Sequence, residues 1–115
     1  MTPRDLIRLT HMLRHAEEAL QLVVGRSRTD LDSDRLLNLA LVRLLEIIGE
    51  AAARVSPAAQ AACPGIPWLP IIGLRNRLID GYDAVDFDIL WDILNVDLPP
   101  LVVELTKAVA GAAPP

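Results

Sequence analysis

Nothing in the chain constrains its architecture more than Asp34-Arg35-Leu36-Leu37-Asn38-Leu39-Ala40-Leu41-Val42-Arg43-Leu44-Leu45-Glu46-Ile47-Ile48-Gly49-Glu50-Ala51-Ala52-Ala53-Arg54-Val55. At about 100° per residue, Arg35, Arg43, Glu46, Glu50 and Arg54 fall within one stripe of a helix. Asn38 is the remaining polar residue after the Asp34 start, and all the others are Leu, Ile, Val, Ala or Gly49. More than half of the circumference is apolar. A helix of this kind buries most of its surface, against its own domain and, as expected here, against a second copy. Glu50 and Arg54 stand in the favourable order for an i,i+4 ion pair.

Working outward toward the N-terminus, Thr2-Pro3-Arg4-Asp5 has the layout of a helix start: a hydroxyl cap, proline at the first helical position and an acid in the first turn. Leu6, Leu9, Leu13, Leu20 and Val24 follow at near-helical spacing, and Gly25 closes the segment. Residues 26–33 are polar and loop-like. Toward the C-terminus, 55–74 is a charge-free stretch as long as a membrane span. Pro57, Pro64, Pro67 and Pro70, with Gly65 and Gly73, exclude one continuous helix there. The stretch reads as a helix end, a proline-rich loop and the start of a third helix near Trp68 to Ile71, which would run to Gly81. Asp86 looks like the cap of a fourth helix with Phe87, Leu90, Trp91 and Leu94. Asp97-Leu98-Pro99-Pro100 would restart a fifth, with Leu101, Val102, Leu105 and Val109 apolar, and 111–115 would be a frayed tail. No segment sustains strand alternation. The expected fold is an all-α antiparallel bundle of about five helices, one domain spanning 1–115.

Composition narrows the function. The chain is 52% hydrophobic with only four aromatics, so its core must be aliphatic, and the excess apolar surface points to a partner interface. Net charge is -4, against the basic balance of general nucleic-acid binders, so RNA contact would need a local cluster such as Arg75 and Arg77. A single cysteine, Cys63, excludes an intrachain disulfide and suits a reducing compartment. The polar start reads as a helix, not a signal peptide, and a cytoplasmic location is expected. His11 and His15 are four apart but lack a third metal ligand pattern, so no metal or cofactor is expected. Trp68 and Trp91 read as bundle core, and no glycine-rich phosphate loop is present.

The chemistry-bearing stretch is Arg75-Asn76-Arg77-Leu78-Ile79-Asp80-Gly81-Tyr82. It resembles the Arg-Asn-x-x-x-His-x-Tyr signature of HEPN-domain ribonuclease toxins of the HepT group, with Asp80 at the histidine position. The resemblance extends through Leu44-Leu45-Glu46-Ile47-Ile48-Gly49-Glu50-Ala51-Ala52, Ile66-Pro67-Trp68, Gly73-Leu74-Arg75-Asn76, Val85-Asp86, Ile89-Leu90-Trp91 and Asp97-Leu98-Pro99. It implies a homodimeric, metal-independent endoribonuclease, the toxin of a toxin-antitoxin pair. Its antitoxin would be a minimal nucleotidyltransferase, which in some pairs adds AMP to the signature tyrosine. Carried over, Arg75 would stabilise phosphate charge, Asn76 would orient the substrate, Asp80 would occupy the general acid/base position and Tyr82 would be the modification site. Arg77 would add to a cationic patch doubled by the two-fold axis, and Glu50 would orient Arg75 from the neighbouring helix. Were the helix to persist to Tyr82, all four signature residues would line one edge.

Asp80 changes the expected chemistry. A histidine with a pKa near about 6.5 can serve as both base and cationic acid. An aspartate near about 3.9 only accepts a proton at neutral pH and sets negative charge beside the phosphate. Loss of one general acid/base costs about a hundred- to ten-thousand-fold in rate, so cleavage should be weak or absent. The alternative is a catalytically inactive module that keeps only partner or nucleotide binding. An Arg75–Asp80 ion pair and an ordinary half-buried Tyr82 are the plainer readings of the same residues. Whether Asp80 is natural or introduced stays open.

Overall fold

A computed structural model describes residues 1–79 and 84–112. Helix α1 (Pro3–Leu22) leads through a turn to the short α2 (Asp30–Ser33) and then to α3 (Arg35–Ala53). Four short helices follow: α4 (Pro57–Ala62), α5 (Trp68–Ile72), α6 (Leu74–Leu78) and α7 (Phe87–Asp92). A π turn (Ile93–Asp97) joins α7 to α8 (Leu98–Ala112). The fold is all-α, and no described helix is long and apolar enough to cross a membrane. The long α3 forms one wall of the bundle, with α1 against it and α8 against α1. Between them lies a single aliphatic cluster that includes Leu9, Met12, Leu41, Leu45, Ile48, Leu90, Leu94, Leu101 and Leu105.

The helix starts are built as their local sequence dictates. The Thr2 hydroxyl accepts from the Asp5 N–H at 3.1 Å, and Asp5 Oδ2 accepts from the Thr2 N–H at 3.1 Å, a complete capping box with proline at the first position. Asp34 caps α3 by accepting from the Leu37 N–H. Asp86 caps α7 by accepting from the Asp88 and Ile89 N–H groups. Gly25, at φ 73°, supplies the left-handed turn after α1.

Other elements answer to distant partners that local pattern does not reveal. Ser56 caps α4, accepting from the Ala59 N–H, while its own N–H and hydroxyl both donate to Asp5 at 2.8 Å. The same carboxylate therefore closes the first turn of α1 and anchors the first turn of α4. It is only 3% exposed. The Ser56 and Thr2 backbone N–H groups hold its pKa at about 2, against 3.8 ordinarily. Asn38, also 3% exposed, is no solvent-facing polar residue: its amide donates to the Leu31 carbonyl at 2.8 Å and fastens α2 onto α3. Trp68 donates its indole N–H to the Gln60 and Cys63 carbonyls, which tethers α5 to the end of α4.

Three expectations need correction. The third helix is two short pieces that meet at Gly73, and α6 ends at Leu78. Ile79 is extended (φ −92°, ψ 117°) and pairs antiparallel with Val85, while the Asp86 N–H donates to the Leu78 carbonyl. The fifth helix does not restart after a break, because the chain runs from α7 into α8 through the π turn. Pro99 and Pro100 explain that turn: neither has an N–H to donate, and each ring would crowd the carbonyl four residues back in a regular α-helix. The Leu98 N–H accordingly reaches back to Ile93. Finally, α2 and α4 occupy stretches expected to be loop.

Candidate functional site

Arg75 and Asn76 stand on successive positions of α6, both exposed. They line a groove of about 230 Å³ together with Glu46, Gly49, Glu50, Ala53 and Ile72. Its opposite wall is the polar edge of α3, so the guanidinium and the amide face two carboxylates across the concavity. Gly49 makes the approach possible. A Cβ there would sit 3.0 Å from the Ile71 carbonyl oxygen and 3.4 Å from that of Ile72. The absence of a side chain lets the backbone end of α5 rest on α3, and α6 begins two residues after Ile72.

Glu50 lies 3.5 Å from Arg43, and so does Glu46. The expected Glu50–Arg54 pair is not formed; Arg43, about one turn before Glu46 and two before Glu50, takes both carboxylates. Glu50 thus lines the groove with Arg75, and its charge is already partly answered from its own helix. Arg77 goes elsewhere. Its Nη1 donates to Asp97 Oδ2 at 2.9 Å, which ties α6 to the π turn, and it does not line the groove of Arg75 and Asn76. Residues two apart on a helix diverge by about 200°, which accounts for the split. Asp97 is a residue whose role sequence reading missed, since nothing local marks a partner for Arg77 twenty positions away.

Asp80 and Tyr82 lie outside the described residues. The helical register that would have set Asp80 one turn beyond Asn76 does not continue through Ile79. A second groove of about 280 Å³ adjoins the first through Glu46. It is lined by Leu39, Val42, Ile79, Val85 and Phe87, with Arg35 and Asn38 at its polar side. A larger concavity, about 510 Å³, lies between the α4–α5 connection and α8, beside Cys63, Glu104 and Lys107, and shares no residue with either groove. His15 places Nδ1 2.6 Å from the His11 carbonyl, a contact within α1.

Comparison with known proteins shows the family. The sequence profile described as "Ribonuclease HepT-like" matches residues 12–108. A candidate RNase of Caldanaerobacter subterraneus is 36% identical over 100 residues, covering 87% of this chain and 88% of its own. The probable ribonuclease HepT of Thermococcus cleftensis is 33% identical, covering 83% and 90%. A candidate RNase of Methanocaldococcus jannaschii is 29% identical, covering 91% and 97%. No solved structure matches. The profile takes in α3, the α5–α6 junction and α7, the elements that build the grooves, and the chain belongs to the HepT-like ribonuclease family.

Proposed function

We propose that the chain is a HepT-type endoribonuclease subunit, the toxin of a toxin-antitoxin pair, held in check by a nucleotidyltransferase antitoxin. The observation that carries this reading is the exposed Arg75–Asn76 pair set in a groove against α3, within a chain of this family. A guanidinium presents several N–H donors in a planar fork suited to phosphate, and Asn76 adds a neutral donor and acceptor. In a homodimer, two such grooves would set their arginines toward one RNA strand. Charge that develops on the phosphorane would be met by Arg75 without a metal ion.

In this reading Asp80 stands at the acid/base position and Tyr82 is the residue the antitoxin would modify with AMP. As a carboxylate, Asp80 supplies no proton to the leaving oxygen at neutral pH. Cleavage should therefore be slow, and it should speed up when the imidazole is supplied. The test is to incubate purified protein with RNA in the presence of a metal chelator and compare the unaltered chain with Asp80→His. Faster cleavage by the histidine variant supports the assignment. Equal, rapid cleavage by both would remove Asp80 from the mechanism. Asp80 itself favours the second reading, a module that retains antitoxin binding and no longer cleaves. In that case Asp80→His stays inactive while the complex with the antitoxin still forms.

A further inference from the structure

The chain is acidic overall, yet its cations are unevenly distributed. Arg26, Arg28, Arg43, Arg77 and Lys107 each pair with a carboxylate. Arg35 donates to Asn38. Among the described residues, Arg4, Arg8, Arg14, Arg54 and Arg75 form no ion pair, and of these Arg8, Arg54 and Arg75 line concavities that adjoin. These three gather on one face. Arg8 and His11 of α1 meet Ile47 of α3 and Arg54, the residue that follows it, in a small concavity of about 100 Å³, with Glu50 as its one acid. Glu50 is also a wall of the groove that holds Arg75 and Asn76. The two depressions are therefore neighbours across a single side chain. Over both, the lining arginines Arg8, Arg54 and Arg75 stand against Glu46 and Glu50, three positive charges against two negative, and Arg43, outside both depressions, pairs with the two carboxylates.

Resting on the proposed ribonuclease reading, we infer that the Arg8–Arg54 concavity is a second phosphate site, which takes the RNA strand as it leaves the Arg75 groove. Charge and reach both favour a nucleic-acid strand. From Glu46 to Arg54 along α3 is about 12 Å at 1.5 Å per residue. That is room for about three nucleotides at a stacked spacing of about 3.4 Å. An extended polyanion can touch Arg75 and continue over Glu50 to Arg54 and Arg8, whereas a mononucleotide can occupy only one depression. The His11 ring lines the same concavity and can donate to a phosphate oxygen or stack on a base. The site needs no basic protein as a whole. It needs only that these arginines stay out of ion pairs such as those that occupy Arg26, Arg28, Arg43 and Arg77.

The experiment measures binding of 2′-O-methyl RNA, which is not cleaved, by fluorescence anisotropy. Strands of three to fifteen nucleotides are compared over a range of salt concentrations. For the unaltered chain, affinity should rise with length beyond about four nucleotides. In the Arg8→Gln/Arg54→Gln double variant that rise should be lost, about tenfold for the longest strand. The slope of log affinity against log salt should flatten by about 1.4, at about 0.7 for each single-strand phosphate released. Arg75→Gln should instead weaken strands of every length, and Arg14→Gln, on α1 but lining neither depression, should change nothing. A double variant with the unaltered length dependence and salt slope would overturn the second site and leave the ribonuclease reading intact. A double variant that weakens the shortest and longest strands equally would also overturn it, since the arginines would then be acting on the first groove. Failure of the unaltered chain to bind RNA of any length would remove both readings together.

Discussion

Asp5 shows how much one side chain can organise. Its carboxylate accepts from Thr2 and from both the N–H and the hydroxyl of Ser56, joining the starts of α1 and α4. Its folded pKa of about 2 lies below the ordinary 3.8, so its contribution to stability is fully present above the unfolded value and disappears as pH falls through about 2. Asp5→Asn should lower the melting temperature at pH 7, and the gap to the unaltered chain should close between pH 4 and pH 2. A constant gap across that window would contradict the assignment. Gly49 is the second such residue. Gly49→Val would push a branched side chain into the Ile71 carbonyl and should cost about 2 kcal/mol in urea unfolding, within the overpacking range. Gly49→Ala brings only the Cβ to the 3.0 Å contact and should cost less than valine, because a helix-propensity gain of about 1 kcal/mol offsets part of the clash. The Thr2 cap was legible in the sequence because its partners lie within one turn. The Asp5–Ser56 link was not, because its partners lie 51 residues apart.

At the scale of elements, what could be read was the apolar periodicity and the local caps. Asp34 and Asp86 open α3 and α7 where their sequences place them. The ends of elements were harder, because tertiary contacts set them. Helix α6 stops at Leu78 where Ile79 pairs with Val85, three residues short of Gly81, the breaker that the sequence offers. The π turn depends on two prolines that read equally well as a fresh helix start. Asn38 was grouped with the polar residues of α3, and its burial follows only from α2 folding over it. Asn38→Ala would strand the Leu31 carbonyl without its donor. The expected loss is about 1–3 kcal/mol, with hydrogen exchange quickening first in α2. Unchanged unfolding would mean that the Leu31 carbonyl finds water without strain.

For the whole molecule, the exposed side of α3 divides along its length. Past Arg35, its first turns show Leu36, 82% exposed, and Leu39, 49% exposed, while from its middle onward it carries Arg43 and Glu50, with Arg54 just past its end. The apolar half suits a second copy and the polar half suits RNA, so both functions proposed for this face fit on one helix without overlap. Sedimentation should give twice the 12.5 kDa chain mass, and Leu36→Glu with Leu39→Glu should return the monomer with its helical content intact. A monomeric unaltered chain would contradict the shared cleft. Membership of the family was legible from the ordered motifs between Leu44 and Pro99, and Arg75 and Asn76 do share a groove with Glu50. Arg77 parts from them because the helical angle turns it toward Asp97, a partner visible only once the chain is folded.

The account rests on Arg75 acting on the scissile phosphate, and cleavage in the Asp80→His background tests this most directly. With the imidazole supplied, the rate should rise at least about a hundredfold over the unaltered chain, in line with the usual worth of one general acid/base. Adding Arg75→Ala to that variant should then abolish the gain. RNA cleavage that persists undiminished after Arg75→Ala would contradict the proposed role of this groove.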